Sequence, residues 1–141
     1  MTQDLHQTHN DCIFCKIITG EIPAHKVYED DNTFAFLDIK PINPGHTLVI
    51  PKDHFENILT TPDETMCRLI ITARKLAIDI RNAVDSDGMM VMMNGEQVSH
   101  THIHLIPRIS DDGIEDMPHK TYVQGEAEQV LEKIKTEISL S

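Results

Sequence analysis

Apolar and polar positions along the chain fall into short stretches with recognisable periods. Residues 1–10 show no period and read as a flexible tail holding His6 and His9. The run Cys12-Ile13-Phe14-Cys15-Lys16-Ile17-Ile18 then predicts a short helix closed by Gly20. Residues 25–29 and 33–39 flank the polar triplet Asp30-Asp31-Asn32, which predicts two antiparallel strands joined by a tight turn. Pro41, Pro44 and Gly45 impose a loop, and the β-branched run His46-Thr47-Leu48-Val49-Ile50 follows as a strand stopped by Pro51.

The sequence Thr61-Pro62-Asp63-Glu64 predicts a helix start: a capping Thr, a Pro at the first helical position and a Glu three residues after the cap. From there Met66, Leu69, Ile70, Ala73, Leu76, Ala77, Ile80 and Val84 keep the spacing of one buried face, so a long amphipathic helix ends near Asp87-Gly88. Residues 89–93 and 98–106 predict two neighbouring strands joined through the turn dipeptide Asn94-Gly95, the second ended by Pro107. Residues 109–125 are polar and irregular, and Val130, Leu131, Ile134 and Ile138 restore a helical period over residues 126–140. Helices and strands in this order, without βαβ alternation, predict one α+β domain over residues 11–141, built on a mainly antiparallel five-stranded sheet.

Composition narrows the function. A chain of 141 residues can bury a sufficient core on its own. It has no apolar run long enough for a bilayer and no leader-like start, so a soluble cytoplasmic protein is expected. A formal net charge of −11 excludes non-specific binding to nucleic acid polymers or anionic membranes, although backbone amides, imidazoles or a metal can still hold a small anion. Three cysteines, an odd number, do not make a disulfide framework. Cys67 lies in the helical apolar pattern and carries no assigned role; His25 and His119 read as surface residues.

The chemistry concentrates in His100-Thr101-His102-Ile103-His104. On an extended chain the three histidines project to one side while Thr101, Ile103 and Leu105 project to the other, where they can pack on the long helix. One such histidine would be the polar face of an edge strand. Three in phase suit metal ligation or phosphoryl chemistry, and spacing alone leaves both open.

The segment Val98-Ser99-His100-Thr101-His102-Ile103-His104-Leu105-Ile106-Pro107-Arg108 resembles the motif of the histidine-triad family, His-φ-His-φ-His-φ-φ with φ apolar, Thr101 being a mild departure. The resemblance extends to Cys12 through Ile18 with Gly20-Glu21-Ile22-Pro23, to Phe36-Leu37-Asp38-Ile39, and to Pro44-Gly45-His46-Thr47-Leu48-Val49-Ile50-Pro51-Lys52-Asp53-His54. It implies the histidine-triad fold, commonly a homodimer, and a two-step reaction on a purine nucleotide. His102 would attack the α-phosphorus to form a nucleotidyl-histidine, which water or another acceptor then resolves. His104 and His46 would donate to the phosphate oxygens, with His100 completing the set, and Asp38 would accept from the ribose hydroxyls. Phe14, Ile17, Phe36 and Ile39 would line the base slot; without the resemblance they are ordinary core residues. Asn94 would lie near the phosphate, although Asn-Gly is equally a turn dipeptide. The family's longer loop ending in Gly-Gln-x-Val is here only Gly95-Glu96-Gln97-Val98, which leaves the reach of Gln97 open.

Cys12, Cys15, His54 and His100 resemble the zinc site of the family's metal-containing branch, which implies a closed, structural zinc. The competing redox Cys-x-x-Cys calls for a strand before the pair, and here a tail precedes it. The implied activity is hydrolysis of a nucleoside phosphoramidate, an AMP adduct or a dinucleoside polyphosphate. A nucleotidyltransferase sharing the intermediate and a nucleotide-binding interaction protein are the alternatives.

Overall fold

The computed structural model describes residues 8–95, 97–114 and 117–141. The expectations for residues 1–7, which include His6, for Glu96 in the short loop, and for Glu115 and Asp116 in the irregular segment lie outside the described residues. The elements are α1 (Ile13–Ile18), β1 (Lys26–Glu29), β2 (Thr33–Leu37), β3 (Thr47–Pro51), α2 (Asp63–Val84), β4 (Gly88–Met92), β5 (Ile103–Arg108) and α3 (Glu126–Leu140). The strands form one sheet in the order β1-β2-β3-β5-β4, every neighbouring pair antiparallel.

Period-two alternation divides the core between the two faces of this sheet. Phe34 and Phe36 of β2 and Leu48 and Ile50 of β3 pack with Cys12, Phe14, Cys15 and Ile17 of the α1 region. Their sequence neighbours Ala35 and Val49 point the other way and join Ile103 and Leu105 against Leu69, Ala73, Leu76 and Ile80 of α2. The expected helix face is therefore the buried one, except that Ile70 stays about half exposed. α2 ends at Asp85, whose left-handed φ of 53° turns the chain into β4.

Three expectations need correction. Thr61 does not cap α2, which has no side-chain cap; the Thr61 hydroxyl instead bonds the Asn57 carbonyl at 2.7 Å and Thr101 Oγ1 at 2.6 Å. Glu64, freed from a capping role, pairs with Arg68 one turn along. The last strand begins at Ile103 instead of residue 98, because β3 and β4 pair only as far as Ile103 and His104. Upstream, the Thr101 amide is taken by the Phe55 carbonyl at 2.8 Å and the His100 amide by the Val98 carbonyl at 2.9 Å, so the link from β4 is a broad loop, not a two-residue turn. Pro107 lies inside β5 and does not end it. Its carbonyl points away from β4 and accepts from Asn43 Nδ2 at 2.7 Å. The missing N–H faces the same way, past Leu105, where the β3 ladder has already stopped, so no sheet bond is lost.

α3 forms where the period predicts, yet none of its residues is buried, and Leu131, Ile134 and Ile138 are 48–66% exposed. No helix among the described residues is long and apolar enough to cross a membrane.

Candidate active site

Five imidazoles from three parts of the chain meet at the ends of β3 and β5, on the α1 side of the sheet. His46 immediately precedes β3, His54 follows it, and His100, His102 and His104 run through the approach to β5 and its second residue. The rings approach in two groups: His54 and His100 have centroids 5.0 Å apart, while His102 and His104 lie 4.9 Å apart and His104 and His46 5.1 Å. The ring of Phe14 stands edge-on to His102 at 5.2 Å and to His100 at 5.9 Å, so α1 covers the row. Thr101 turns away toward Thr61, and Ile103 and Leu105 toward α2, so the three histidines share one side although only the last lies in the strand.

Backbone partners fix which nitrogen of each ring carries a proton. A carbonyl only accepts, so Nδ1 of His102, 2.6 Å from the His100 carbonyl, is the N–H, and Nε2 keeps the free lone pair. By the same rule Nε2 of His100, 2.8 Å from the Pro51 carbonyl, is protonated and Nδ1 keeps its lone pair. His46 is fixed from the opposite direction: the Ile42 amide donates to Nδ1 at 3.1 Å, so a neutral ring carries its proton on Nε2. That proton is donated to Nδ1 of His104 at 2.9 Å, which leaves His104 with an Nε2–H of its own.

Both rings are neutral at pH 7. Burial pulls His104 down to about 4, helped by the neighbouring His102 and His46, and burial lowers His46 against the opposing pull of Asp38. The pair therefore offers a neutral N–H donor on His104 Nε2, beside the lone pair on His102 Nε2, and not two imidazolium cations.

Asp38 is held beside this pair. Its Oδ2 lies 3.6 Å from Nε2 of His46, and Oδ1 accepts from the Lys40 amide at 2.8 Å. Asp38, His46 and His104 bring three ligating atoms within 4.8 Å of one another. As a metal site this group fails on protonation, because the nitrogen His46 would offer is the one its backbone partner keeps protonated.

The second cluster is different. Nδ1 of His100 lies 3.4 Å from Cys12 Sγ and 3.5 Å from Cys15 Sγ, and Nδ1 of His54 lies 3.4 Å from Cys15 Sγ. A tetrahedral zinc with ordinary bond lengths separates its sulfur and nitrogen ligands by about 3.5 Å. The residues present fit the ion in number, donor type and edge length, and the Pro51 carbonyl supplies the outer bond that orients His100. Burial lowers the pKa of both rings, to about 4 for His100, so each stays neutral and keeps one nitrogen with its lone pair available.

The remaining sequence-predicted residues are spread around these two clusters. Phe14, Ile17 and Phe36 are buried in the α1 core, whereas Ile39 is 83% exposed beside Asp38. Asn94 lines a narrow cleft of about 20 Å³ with His100 and His102. Gln97 lines a larger cavity, about 330 Å³, with His9, Cys12 and His54. His9, which the sequence places in the tail, stacks on His54.

Groups that the sequence reading missed act through the backbone. The Ile42 amide and the Pro51 carbonyl set tautomers. Asn43 holds the loop before His46: its carbonyl accepts the His46 amide at 3.0 Å, and its Nδ2 reaches both the Pro107 carbonyl and Asp112 Oδ2. The Arg108 guanidinium and the Ile114 amide hold the Asp112 carboxyl well below the usual carboxylate range. Only the turn character of Pro41 to Gly45 hinted at this anchoring.

The model of the HIT domain matches residues 19–111. A crystal structure of the Streptococcus mutans protein SMU.412c is 37% identical, with a TM-score of 0.87 over 95% of this chain and 89% of that one. The adenosine 5′-monophosphoramidase of Candida albicans is 39% identical over 110 residues, 72% of each chain. A zinc-bound histidine triad family protein from Mycobacterium smegmatis is 31% identical, with a TM-score of 0.71 over 92% of this chain and 96% of that one.

Proposed function

Because this chain belongs to the HIT domain family, we propose that it is a nucleotide hydrolase in which Nε2 of His102 attacks the α-phosphorus of an adenosine 5′-phosphoramidate or a related AMP adduct. The observation that carries this reading is the 2.6 Å bond from His102 Nδ1–H to the His100 carbonyl, which leaves one nitrogen, with its lone pair, free for attack. In the first step the P–Nε2 bond forms, the bond to the leaving group breaks, and that group departs after taking up a proton. In the second, water attacks the same phosphorus and gives up a proton as the P–Nε2 bond breaks and AMP leaves. Splitting the displacement in this way suits imidazole, which both attacks and leaves readily.

The Nε2–H of His104 supplies a donor to the non-bridging oxygens, where charge grows in the transition state, and His46, whose own Nε2–H is given to His104, holds that ring in place. Asp38 takes the ribose hydroxyls, Phe14, Ile17, Phe36 and Ile39 border the base, and Asn94 and Gln97 lie toward the phosphate and leaving group. Cys12, Cys15, His54 and His100 hold a structural zinc. When bound, the ion would tie α1 and the turn after β3 to the triad, leaving no open position for water. The open β4 edge, with Val91 53% exposed, supports pairing with a second copy, which sedimentation of the purified chain would test.

The test is AMP release from adenosine 5′-phosphoramidate, with diadenosine polyphosphates in parallel, by the wild type and by His102→Ala. Turnover in the first and none in the second is the expected result. A variant as active as the wild type would remove His102 from the nucleophile's place, and a requirement for inorganic phosphate would shift the reading to a phosphorylase.

A further inference from the structure

His9 precedes the Cys12–Cys15 pair and has no part in either cluster, yet three separate contacts bind it to one of them. Its ring lies flat on that of His54, centroids 4.0 Å apart and planes inclined by 14°. Its backbone amide donates to Cys15 Sγ at 3.4 Å, and its carbonyl accepts the Cys12 amide at 3.1 Å. Cavities of about 330 and 400 Å³ adjoin the His9–His54 pair, and both rings line each of them. The inner side of the centre is closed by the buried His100 and the α1 core.

We propose that His9 caps the four-residue centre from outside and sets how fast a metal ion leaves it. This inference rests on the proposed metal at Cys12, Cys15, His54 and His100. For the ion to depart, His54 must swing away. The stacked ring opposes this, since His54 cannot turn without sliding off its neighbour. Outer partners of this kind change metal affinity by about 10- to 100-fold. The full ligand set remains in place without His9; what changes is the rate of exchange.

The experiment compares wild type, His9→Ala and His9→Phe, each loaded with zinc, and follows transfer of the metal to an excess of a coloured chelator. His9→Ala should release zinc at least about tenfold faster, while His9→Phe, which keeps a flat ring but no ligating nitrogen, should stay near the wild-type rate. Release from His9→Ala at the wild-type rate overturns the proposal, as does a His9→Phe rate as fast as that of His9→Ala. Cobalt loading of the same three proteins provides the independent readout. A thiolate-to-cobalt charge-transfer band in all three shows the centre assembled, so that rate differences report the cap. Absence of the band in the wild type would instead refute the metal site itself.

Discussion

Gly45 sits at the sharp entry to β3, one residue before His46, with φ of +91°. A Cβ placed there would meet Val84 Cγ1 at 3.1 Å, Pro107 Cγ at 3.2 Å and Ile80 Cγ2 at 3.5 Å. Gly45→Ala is therefore penalised twice. The left-handed backbone costs an L-residue about 1–2 kcal/mol, and crowding against a packed core about 1–3 kcal/mol. Alanine returns about 0.4–1 kcal/mol by stiffening the unfolded chain, so the net loss is roughly 2–3 kcal/mol. For a domain of this size that lowers Tm by on the order of 10 °C.

Gly20→Ala is the matched control, because φ is +84° but no heavy atom lies within 4 Å of the added carbon. It pays only the backbone term, about 1 kcal/mol net. Urea unfolding of both variants, with a shared slope, measures the difference directly. The steric part of the argument predicts that Gly45→Ala loses at least about 1 kcal/mol more than Gly20→Ala. Equal losses would refute it. AMP release should also fall in Gly45→Ala and not in Gly20→Ala, since the displaced backbone carries His46.

Three further outcomes are expected. Purified protein should contain one zinc per chain, and its removal by chelation, or His100→Ala, should lower the unfolding temperature as well as activity; a metal-free protein of unchanged stability would contradict the assignment. His104 faces His102, His46 and Asp38, and its pKa falls from 6.5 unfolded to about 4 folded. The unfolded chain therefore binds the extra proton between these values, and stability falls as pH drops through that window, by roughly 3 kcal/mol from this one residue. His104→Gln should reduce the fall of the urea midpoint between pH 6.5 and 4.5, the remainder coming from His100, which is lowered to the same value, and an unchanged slope would place the titration elsewhere. Asn43→Ala should cost about 1–3 kcal/mol by stranding the buried Pro107 carbonyl, measurable in the same titration, whereas a loss below 0.5 kcal/mol would show that water replaces the amide.

The sequence discloses most of this fold where local period and burial agree. The alternation through His102 to Leu105 predicts which side of the last strand meets the long helix, and the spacing of Leu69 to Ile80 predicts the helix face that covers it. It misleads where a distant partner outbids a local one. Thr61 has every local feature of a cap, but Thr101, 40 residues on, takes its hydroxyl. The triad and the Cys12–Cys15 pair are legible because they are side chains in a recurring pattern. The carbonyl of Pro51, the amide of Ile42 and the stacking of His9 are not, since a peptide group has no letter of its own and no period leads from His9 to His54.

The tautomers of His46, His100 and His102 are dictated by peptide groups, and that of His104 follows from His46. Side-chain substitutions leave those groups in place, proline at residue 42 excepted. The lining can therefore drift, and the preferred leaving group with it, while the attacking nitrogen stays the same. What is inherited at this centre is a pattern of protons held by the path of the main chain, and new specificity can evolve around it without the chemistry having to be found again.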